Sequence, residues 1–469
     1  MKDEKGYFSF CRYVDNKRIA LIGLGITNLP LVSFLLFSGA KSVTVRDLKK
    51  DESDPFVILA KNDGAKVLLG AQYLENLDED LIIRSPVIRP DIEAFRKAQA
   101  AGSEITCDTE LFLRFCPIKT VAVTGSDGKT TTTTLISKIL EKEGFTVFLG
   151  GNIGKAMLPY LAKINDESGV AVMELSSFQL MNCRYSPNIA IITNLSENHL
   201  DWHHGMEEYL AAKENILRHQ SASDRAILNF DNAYTANLHS EAETVYFSRK
   251  SPDLFFAPSQ EPKVYVENDQ VILQKDGTKT AILAISDILL PGLHNLENYM
   301  TAISAVFDMV SPEAIRDVAK SFGGVEHRIE LVRELGGVRF YNSSIDSSPA
   351  RSTAALRSFE QKVVMIAGGY DKNLDYTALG DEICQRCRMV ILCGATSEKI
   401  RTATQNSPLY REGYPQIHSC STLDEAVKLA HRLTKDGDVV ILSPASASFD
   451  QFKNFEERGK YFKKLVLEL

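Results

Sequence analysis

The sequence predicts an α/β protein in which three domains built on parallel sheets follow one another along 469 residues. Three observations carry that expectation. Short β-rich runs alternate with helical patterns over most of the chain, as βαβ units do. The series restarts near residue 120 and again near 338, which sets domains at 1–107, 108–325 and 326–469. At roughly 150 residues per domain, the length also suits about three.

In the first series, residues 18–22, 42–46, 66–69 and 81–84 read as strands and 29–38 as a helix. The second has strands at 120–124, 170–175, 189–195 and 226–229. Residues 245–284 differ. They alternate apolar and polar positions around the turn signal Asp276-Gly277, which predicts antiparallel strands appended to the second sheet. The third series starts near Val338, with strands at 363–367, 389–392 and 439–442. Ligands of such sheets bind at the carboxyl ends of the strands.

Composition bounds the function. Hydrophobic residues make up 44% and charged residues 24%, an ordinary globular balance. No apolar run reaches the roughly 18–20 residues of a membrane helix, and 29–37 is interrupted by Pro30 and Ser33. The charged start, Met1-Lys-Asp-Glu-Lys5, argues against a secretory leader. A net charge of −8 disfavours general nucleic-acid binding but leaves room for a local basic site taking a small anion. Cys384 and Cys387 form the one CxxC among eight cysteines. A zinc site needs about four ligands and no second pair follows, so two side chains on a helix are expected.

The strongest motif is Thr124-Gly-Ser-Asp-Gly-Lys-Thr130, set between the apolar strand Val121-Ala-Val123 and the helical run Leu135-Ile-Ser-Lys-Ile-Leu140. Gly125 and Gly128 let the backbone turn and aim N–H groups at phosphate oxygens, and the helix N-terminus adds positive charge. Lys129 would neutralise the outer phosphates and Thr130 would place a hydroxyl on Mg²⁺. The glycines stand closer together than in the common P-loop. Glu174 ends the run Val170-Ala-Val-Met173 and is a candidate metal ligand. His199 lies beyond the strand that ends near Asn194; imidazole is not a favoured Mg²⁺ ligand. Lys213 sits in the helical stretch 207–217. Asn295 and Asn298 open another helix, where they either pair with base edges or cap. Near the N-terminus, Gly23-Leu-Gly-Ile-Thr27 begins like a dinucleotide fingerprint, with Asp47 after the second strand. The third fingerprint position, however, is Asn28 rather than glycine.

Taken in order, these segments resemble the Mur ligase family of ATP-dependent amide-forming enzymes. The resemblance rests on the loop at 124–130, Gly150-Gly-Asn-Ile-Gly154, Glu174-Leu-Ser-Ser-Phe-Gln179, Asn198-His-Leu-Asp201, Ala212-Lys213, Gly292-Leu-His-Asn295 and His327-Arg328. The stretch from Leu442 to Gly459, ending Phe455-Glu-Glu-Arg-Gly459, is similar more narrowly to the members that add D-glutamate. The resemblance implies a Rossmann-like N-terminal domain, a central P-loop ATPase domain and a Rossmann-like C-terminal domain. It implies an acyl phosphate made from ATP and the carboxylate of UDP-N-acetylmuramoyl-L-alanine, then captured by the amine of D-glutamate. Both substrates are small molecules. The implied enzyme is a cytoplasmic monomer without nucleic-acid or membrane partners.

The implied site follows residue by residue. Lys129, His199 and Lys213 are catalytic. Gly125, Ser126, Asp127, Gly128, Lys129, Thr130 and Thr131 cradle ATP, with Asn295 and Asn298 at adenine and Arg328 at the phosphates. Thr130, Glu174, His199 and a carbamylated Lys213 hold two Mg²⁺ ions. Ile26, Thr27, Asp47 and Ser85 take the uridine-diphosphate part, and Asn152, Ser176 and Gln179 the muramoyl part. Ser347, Lys372, Ser448 and Phe455 take D-glutamate. Two stretches depart from the family pattern. Ser343, Ile345 and Ser347 replace acid, lysine and threonine after the third domain's first strand, and Val87 replaces a glycine in Ser85-Pro-Val87.

Overall fold

The structure is a computed structural model that describes residues 5–25, 27–48, 51–165, 168–199, 202–250, 262–290 and 292–469. It comprises two compact units, Met1–Phe322 and Gly323–Leu469.

The first unit holds two sheets. The smaller is built from β1 (Arg18–Ile22), β2 (Ser42–Asp47), β3 (Lys66–Leu69), β4 (Leu81–Arg84) and β5 (Glu104–Thr106). The order is β3-β2-β1-β4-β5, with every pairing parallel. Ile19 to Ile22 and Leu81 to Arg84 are buried, as strands covered on both faces require. The chain reverses its direction across the sheet between β1 and β4, which opens a crevice at their carboxyl ends. Strand β2 runs one residue past its expected end, so Asp47 finishes it at that crevice. The short β5 was not anticipated.

The larger sheet contains β6 (Lys119–Thr124), β7 (Val147–Gly151), β8 (Val170–Glu174), β9 (Ile189–Ile192), β10 (Arg225–Asn229), β11 (Glu243–Ser248), β12 (Lys263–Glu267), β13 (Gln270–Lys275) and β14 (Thr278–Ala284). Among the described residues its order is β14-β13-β12-β11-β10-β9-β6-β8-β7. The expectation of antiparallel strands throughout 245–284 is corrected in part. Strand β11 pairs parallel with β10, and β12 parallel with β11. Only β12–β13 and β13–β14 are antiparallel. Strand β11 is buried at Val245, Phe247 and Ser248, so it belongs to the parallel body.

One apolar cluster runs unbroken from the small sheet to the large one, through Leu21, Val45, Phe112, Ala122, Met173 and Ile192. Asp108, buried at the start of the helix Asp108–Phe115, fastens the region between the sheets. Its two carboxylate oxygens accept the backbone N–H groups of Met157 and Leu158, each at 2.9 Å.

The second unit contains β15 (Glu330–Leu335), β16 (Val338–Asn342), β17 (Val363–Ala367), β18 (Cys387–Leu392), β19 (Gln416–Ser419) and β20 (Val439–Leu442). The order is β15-β16-β20-β17-β18-β19, and all pairs but β15–β16 are parallel. The antiparallel edge strand β15 was not anticipated. Its apolar positions are broken by Arg333 and by a register shift between Leu331 and Arg333, which hides the strand period. The reading of Cys384 and Cys387 as two side chains on one helix is corrected. Cys384 lies on the helix Thr377–Arg386 and Cys387 opens β18. Among the described residues, no helix is long and apolar enough to cross a membrane.

Replacing Asp108 by alanine leaves two buried N–H groups without acceptors. Each costs about 1–3 kcal/mol, so Asp108→Ala should lower the urea midpoint of the first unit's unfolding by an amount equal to at least one such loss. An unchanged midpoint would refute this account.

Candidate active site

The loop after β6 is held from the neighbouring strand. The Ser126 N–H donates to the Asn194 carbonyl at 2.9 Å, and the Asp127 N–H to Asn194 Oδ1 at 3.0 Å. Thr193 Oγ1 donates to the Asp127 carbonyl at 2.6 Å. Ser126 Oγ meets the Tyr209 hydroxyl at 2.8 Å and accepts the Ser196 N–H at 2.9 Å. Gly128 caps the helix Lys129–Glu143 with φ of 78°, a left-handed conformation. A methyl group there would lie 2.5 Å from Asn298 Oδ1. The loop is thereby shaped before any ligand arrives, with a helix N-terminus behind it.

Two ammonium groups converge on this loop. Lys129 Nζ donates to the carbonyls of Gly125 (3.0 Å) and Ser126 (2.9 Å). Lys213 Nζ donates to the same Gly125 carbonyl at 2.7 Å and to Thr124 Oγ1 at 3.2 Å. Lys213 is 2% exposed, reaching in from the helix Met206–Arg218. Burial drives its pKa well below 10.5, and the Lys129 cation lowers it further against the pull of Glu174 and Asp127.

Glu174 ends β8 beside β6 and is 2% exposed. Its Oε1 accepts from Asn152 Nδ2 at 2.6 Å, whereas Oε2 is buried with no hydrogen-bond partner. A buried carboxylate oxygen left open suits a hard cation that takes oxygen ligands. Thr130 is half-buried in the first turn of the following helix. His199 stands beyond β9 with φ of 54°, exposed, its ring 5.0 Å from that of Phe178. Leu200 and Asp201, the rest of that motif, lie outside the described residues.

Ser176 and Gln179 form a capping box on the short helix Ser177–Leu180. Gln179 Oε1 accepts from the Ser176 N–H and hydroxyl, and the Gln179 N–H donates to Ser176 Oγ. Asn298 is buried, with its Oδ1 accepting from Thr132 Oγ1 at 3.2 Å; Asn295 is half-buried one turn earlier. Neither caps the helix Leu293–Val306, whose N-cap Gly292 has no side-chain bond.

At the first sheet's crevice, Asp47 Oδ2 accepts the Leu24 N–H, and the Ser85 N–H donates to the Ile22 carbonyl at 2.7 Å. Thr27 is half-buried in the loop after β1, and Ile26 lies outside the described residues. The carboxyl ends of β1, β2 and β4 thus meet, which brings Asp47 and Ser85 to one rim.

In the second unit, Ser347 follows β16, Lys372 follows β17 and Ser448 follows β20, three adjacent strand ends. Lys372 is exposed, with Nζ 5.5 Å from the Phe449 ring centre; Ser448 is buried. Phe455 is half-buried and its carbonyl accepts from Ser344 Oγ at 2.8 Å. Arg328 is exposed. Behind these residues lies a buried polar network that sequence reasoning missed. Arg458 donates to the Ser344, Ser446 and Ala447 carbonyls and to Ser344 Oγ. Ser446 Oγ lies 2.9 Å from the Tyr376 hydroxyl and 2.8 Å from Thr396 Oγ1. Ser443 Oγ donates to Asp346, whose carboxyl burial pushes up to about 6. Arg458, Ser443 and Ser446 stand in the distinctive C-terminal stretch, the one signal that could have drawn attention to them. Tyr209 was missed too, although it lies one helical turn before Lys213.

The architecture and loop define a nucleotide-dependent α/β enzyme of several sheets, and comparison narrows the class. Residues 123–306 match the Mur ligase middle domain and 327–446 the Mur ligase glutamate ligase domain. The chain belongs to the Mur ligase family. It is 48% identical over 469 residues to the UDP-N-acetylmuramoylalanine–D-glutamate ligase of Ruminiclostridium cellulolyticum, covering 98% of each chain. The ligase of the same name from Acetivibrio thermocellus is 48% identical, with 97% of each covered, and that from Clostridium perfringens 40%, with 99% of each covered. The crystal structure of a UDP-N-acetylmuramate-alanine ligase from Thermotoga maritima shares the fold. Its TM-score is 0.53 at 18% identity, over 96% of this chain and 99% of that one.

Gly128→Ala would force a left-handed alanine and displace Asn298 from Thr132. Magnesium-ATP binding by calorimetry should weaken at least about tenfold, equal to roughly 1.4 kcal/mol, with the circular dichroism spectrum retained. Wild-type affinity in that variant would contradict the loop geometry.

Proposed function

We propose that this chain is an ATP-dependent ligase that joins D-glutamate to UDP-N-acetylmuramoyl-L-alanine through an acyl phosphate, in cytoplasmic peptidoglycan precursor synthesis. The observation that carries the reading is the pair of lysines meeting at the Gly125 carbonyl, with the open, buried oxygen of Glu174 at the end of the adjacent strand. It joins full-length similarity of up to 48% to ligases of that name.

The chemistry needs charge cancelled before it needs anything else. A carboxylate is a poor electrophile, and it must approach a triphosphate that is also anionic. Attack of the carboxylate oxygen on the γ-phosphorus expels ADP and leaves an acyl phosphate. The D-glutamate amine then adds to the carbonyl carbon, and the tetrahedral intermediate expels phosphate as the amide forms. Lys129 exchanges its two loop carbonyls for the outer phosphates, while the first-turn N–H groups of residues 129–131 hold the rest. Thr130, Glu174, His199 and Lys213 are the residues that would hold two Mg²⁺ ions, whose charge would offset that of the transferring phosphoryl group. The lowered pKa of the buried Lys213 eases loss of its proton, the freed amine is a nucleophile toward carbon dioxide, and carbamylation would turn the side chain into a metal-binding anion.

The remaining roles follow the order of the chain. Residues 1–107 take the uridine diphosphate at Ile26, Thr27, Asp47 and Ser85. Residues 108–325 take ATP, with Asn295 and Asn298 on the adenine side, and the muramoyl part at Asn152, Ser176 and Gln179. Residues 326–469 supply Arg328 to the phosphates and Ser347, Lys372, Ser448 and Phe455 to D-glutamate. The enzyme acts as a monomer.

Phosphate release with UDP-N-acetylmuramoyl-L-alanine, magnesium-ATP and each amino acid in turn tests the reading. D-glutamate should support turnover; activity with L-alanine and none with D-glutamate would end it. Lys372→Ala removes one ionic contact to the incoming amino acid, so KM for D-glutamate should rise about tenfold or more while kcat changes less. An unchanged KM would place the amino acid elsewhere.

A further inference from the structure

Arg84, the last residue of β4, is 3% exposed. All four of its hydrogen bonds go to neutral carbonyls, and among the described residues no carboxylate accepts from it. Nη1 donates to Pro86 (3.1 Å) and Ile88 (3.0 Å), in its own loop. Nη2 donates to Phe178 (3.0 Å) and Met181 (3.3 Å), about one hundred positions away on the large sheet's side. A buried guanidinium without a counter-ion is costly, and filling space does not require one. What this group supplies is a rigid planar fork with each prong committed to a different loop.

The two loops are those assigned above to opposite ends of one substrate. Ser85, next to Arg84, belongs to the uridine-diphosphate rim. Phe178 lies between Ser176 and Gln179, the residues assigned to the muramoyl part. A second guanidinium spans the same seam. Arg89 donates to the Trp202 carbonyl (2.8 Å), to Asp91 (2.8 Å) and to Glu208 (2.8 Å), and Glu208 is on the helix that carries Lys213. Trp202 closes the seam: its Nε1 donates to the Val87 carbonyl at 3.0 Å, and its ring lies 4.4 Å from that of Phe178. Val87, the residue that departs from the family's glycine, thus contributes its carbonyl here.

We infer that Arg84 is a positioning residue that, with Arg89, fixes the spacing between the residues that take the nucleotide end and those that take the muramoyl part of the substrate. The inference rests on the assignment of those two sets of residues. A substrate that straddles the seam gains from both sets only when their separation matches its own length, because the second end then binds as an intramolecular event. A substrate that occupies only one side does not sense the spacing.

The test compares UDP-N-acetylmuramoyl-L-alanine with N-acetylmuramoyl-L-alanine 1-phosphate, which lacks the uridine, in the wild type, Arg84→Lys and Arg89→Gln. Lysine keeps the charge but loses the fork. For the full substrate, Arg84→Lys should lower kcat/KM at least tenfold. For the fragment it should change kcat/KM less than twofold, and likewise KM for ATP and D-glutamate. Arg89→Gln should show the same selectivity with a smaller loss, and it decides the matter if Arg84→Lys does not fold. Trp202 is the only tryptophan in the chain, so its emission during UDP titration gives a second reading, with a wild-type change that both variants diminish. Equal losses on both substrates, or none, would overturn the inference while leaving the ligase reading intact. A wild type inactive on the full substrate would overturn both.

Discussion

Everything at the centre of this molecule depends on one carbonyl oxygen, that of Gly125, which accepts from two lysine ammonium groups at 3.0 and 2.7 Å. Two like charges on one acceptor are tolerable only if one gives up its proton or an anion arrives. Burial, and then the Lys129 cation, push the Lys213 pKa down. The loop must hold its shape against that repulsion, which accounts for the density of bonds around it. Thr193 and Asn194 fasten the carbonyl and the N–H of Asp127, Ser196 and Tyr209 both meet Ser126 Oγ, and three of the four come from the segment following β9.

Topology explains why the pockets fall where they do. In the small sheet the order reverses between β1 and β4, and the rim formed by Asp47 and Ser85 flanks that point. In the large sheet β6 stands between β8 and β9, so Thr124, Glu174 and Thr193 end side by side although about seventy residues separate the first from the last. In the second unit Ser347, Lys372 and Ser448 stand at the ends of β16, β17 and β20, with β20 in the middle. Each is the crevice that a parallel sheet leaves open at its carboxyl edge. The family can therefore vary its substrates through loops while the strands stay constant.

Strands buried on both faces were the legible part of the sequence. Residues 18–22, 81–84, 363–367 and 439–442 match the observed strands to the residue, because a continuous apolar run bounded by turn residues has few other readings. The phosphate loop was legible for a similar reason, since glycines and a lysine between strand and helix have a narrow use. What escaped were features decided by partners far away in the chain. The edge strand β15 carries little apolar signal, and the parallel pairing of β11 depends on neighbours rather than on its own alternation. Arg84 reads as a charged strand end until its four carbonyls are seen. Arg458 likewise reads as a helix surface residue, yet it is 4% exposed and bonded to Ser344, 114 positions away.

The N-terminal loop shows how a single departure can be read physically. In a dinucleotide fingerprint the third glycine lets helix and strand pack closely beneath the phosphates. Here Asn28 occupies that place, 2% exposed, and its Nδ2 donates to the carbonyls of Ile22 (3.2 Å) and Gly23 (2.8 Å). The side chain therefore ties the helix Leu29–Phe37 back onto the end of β1 with hydrogen bonds where the fingerprint relies on bare contact. Asp47, the acid such folds turn toward a ribose, already accepts the Leu24 N–H from within the loop. Both groups that a dinucleotide would recruit are thus engaged in holding the loop's shape. The crevice at the end of the small sheet is thus shaped by its own side chains rather than left open as bare backbone.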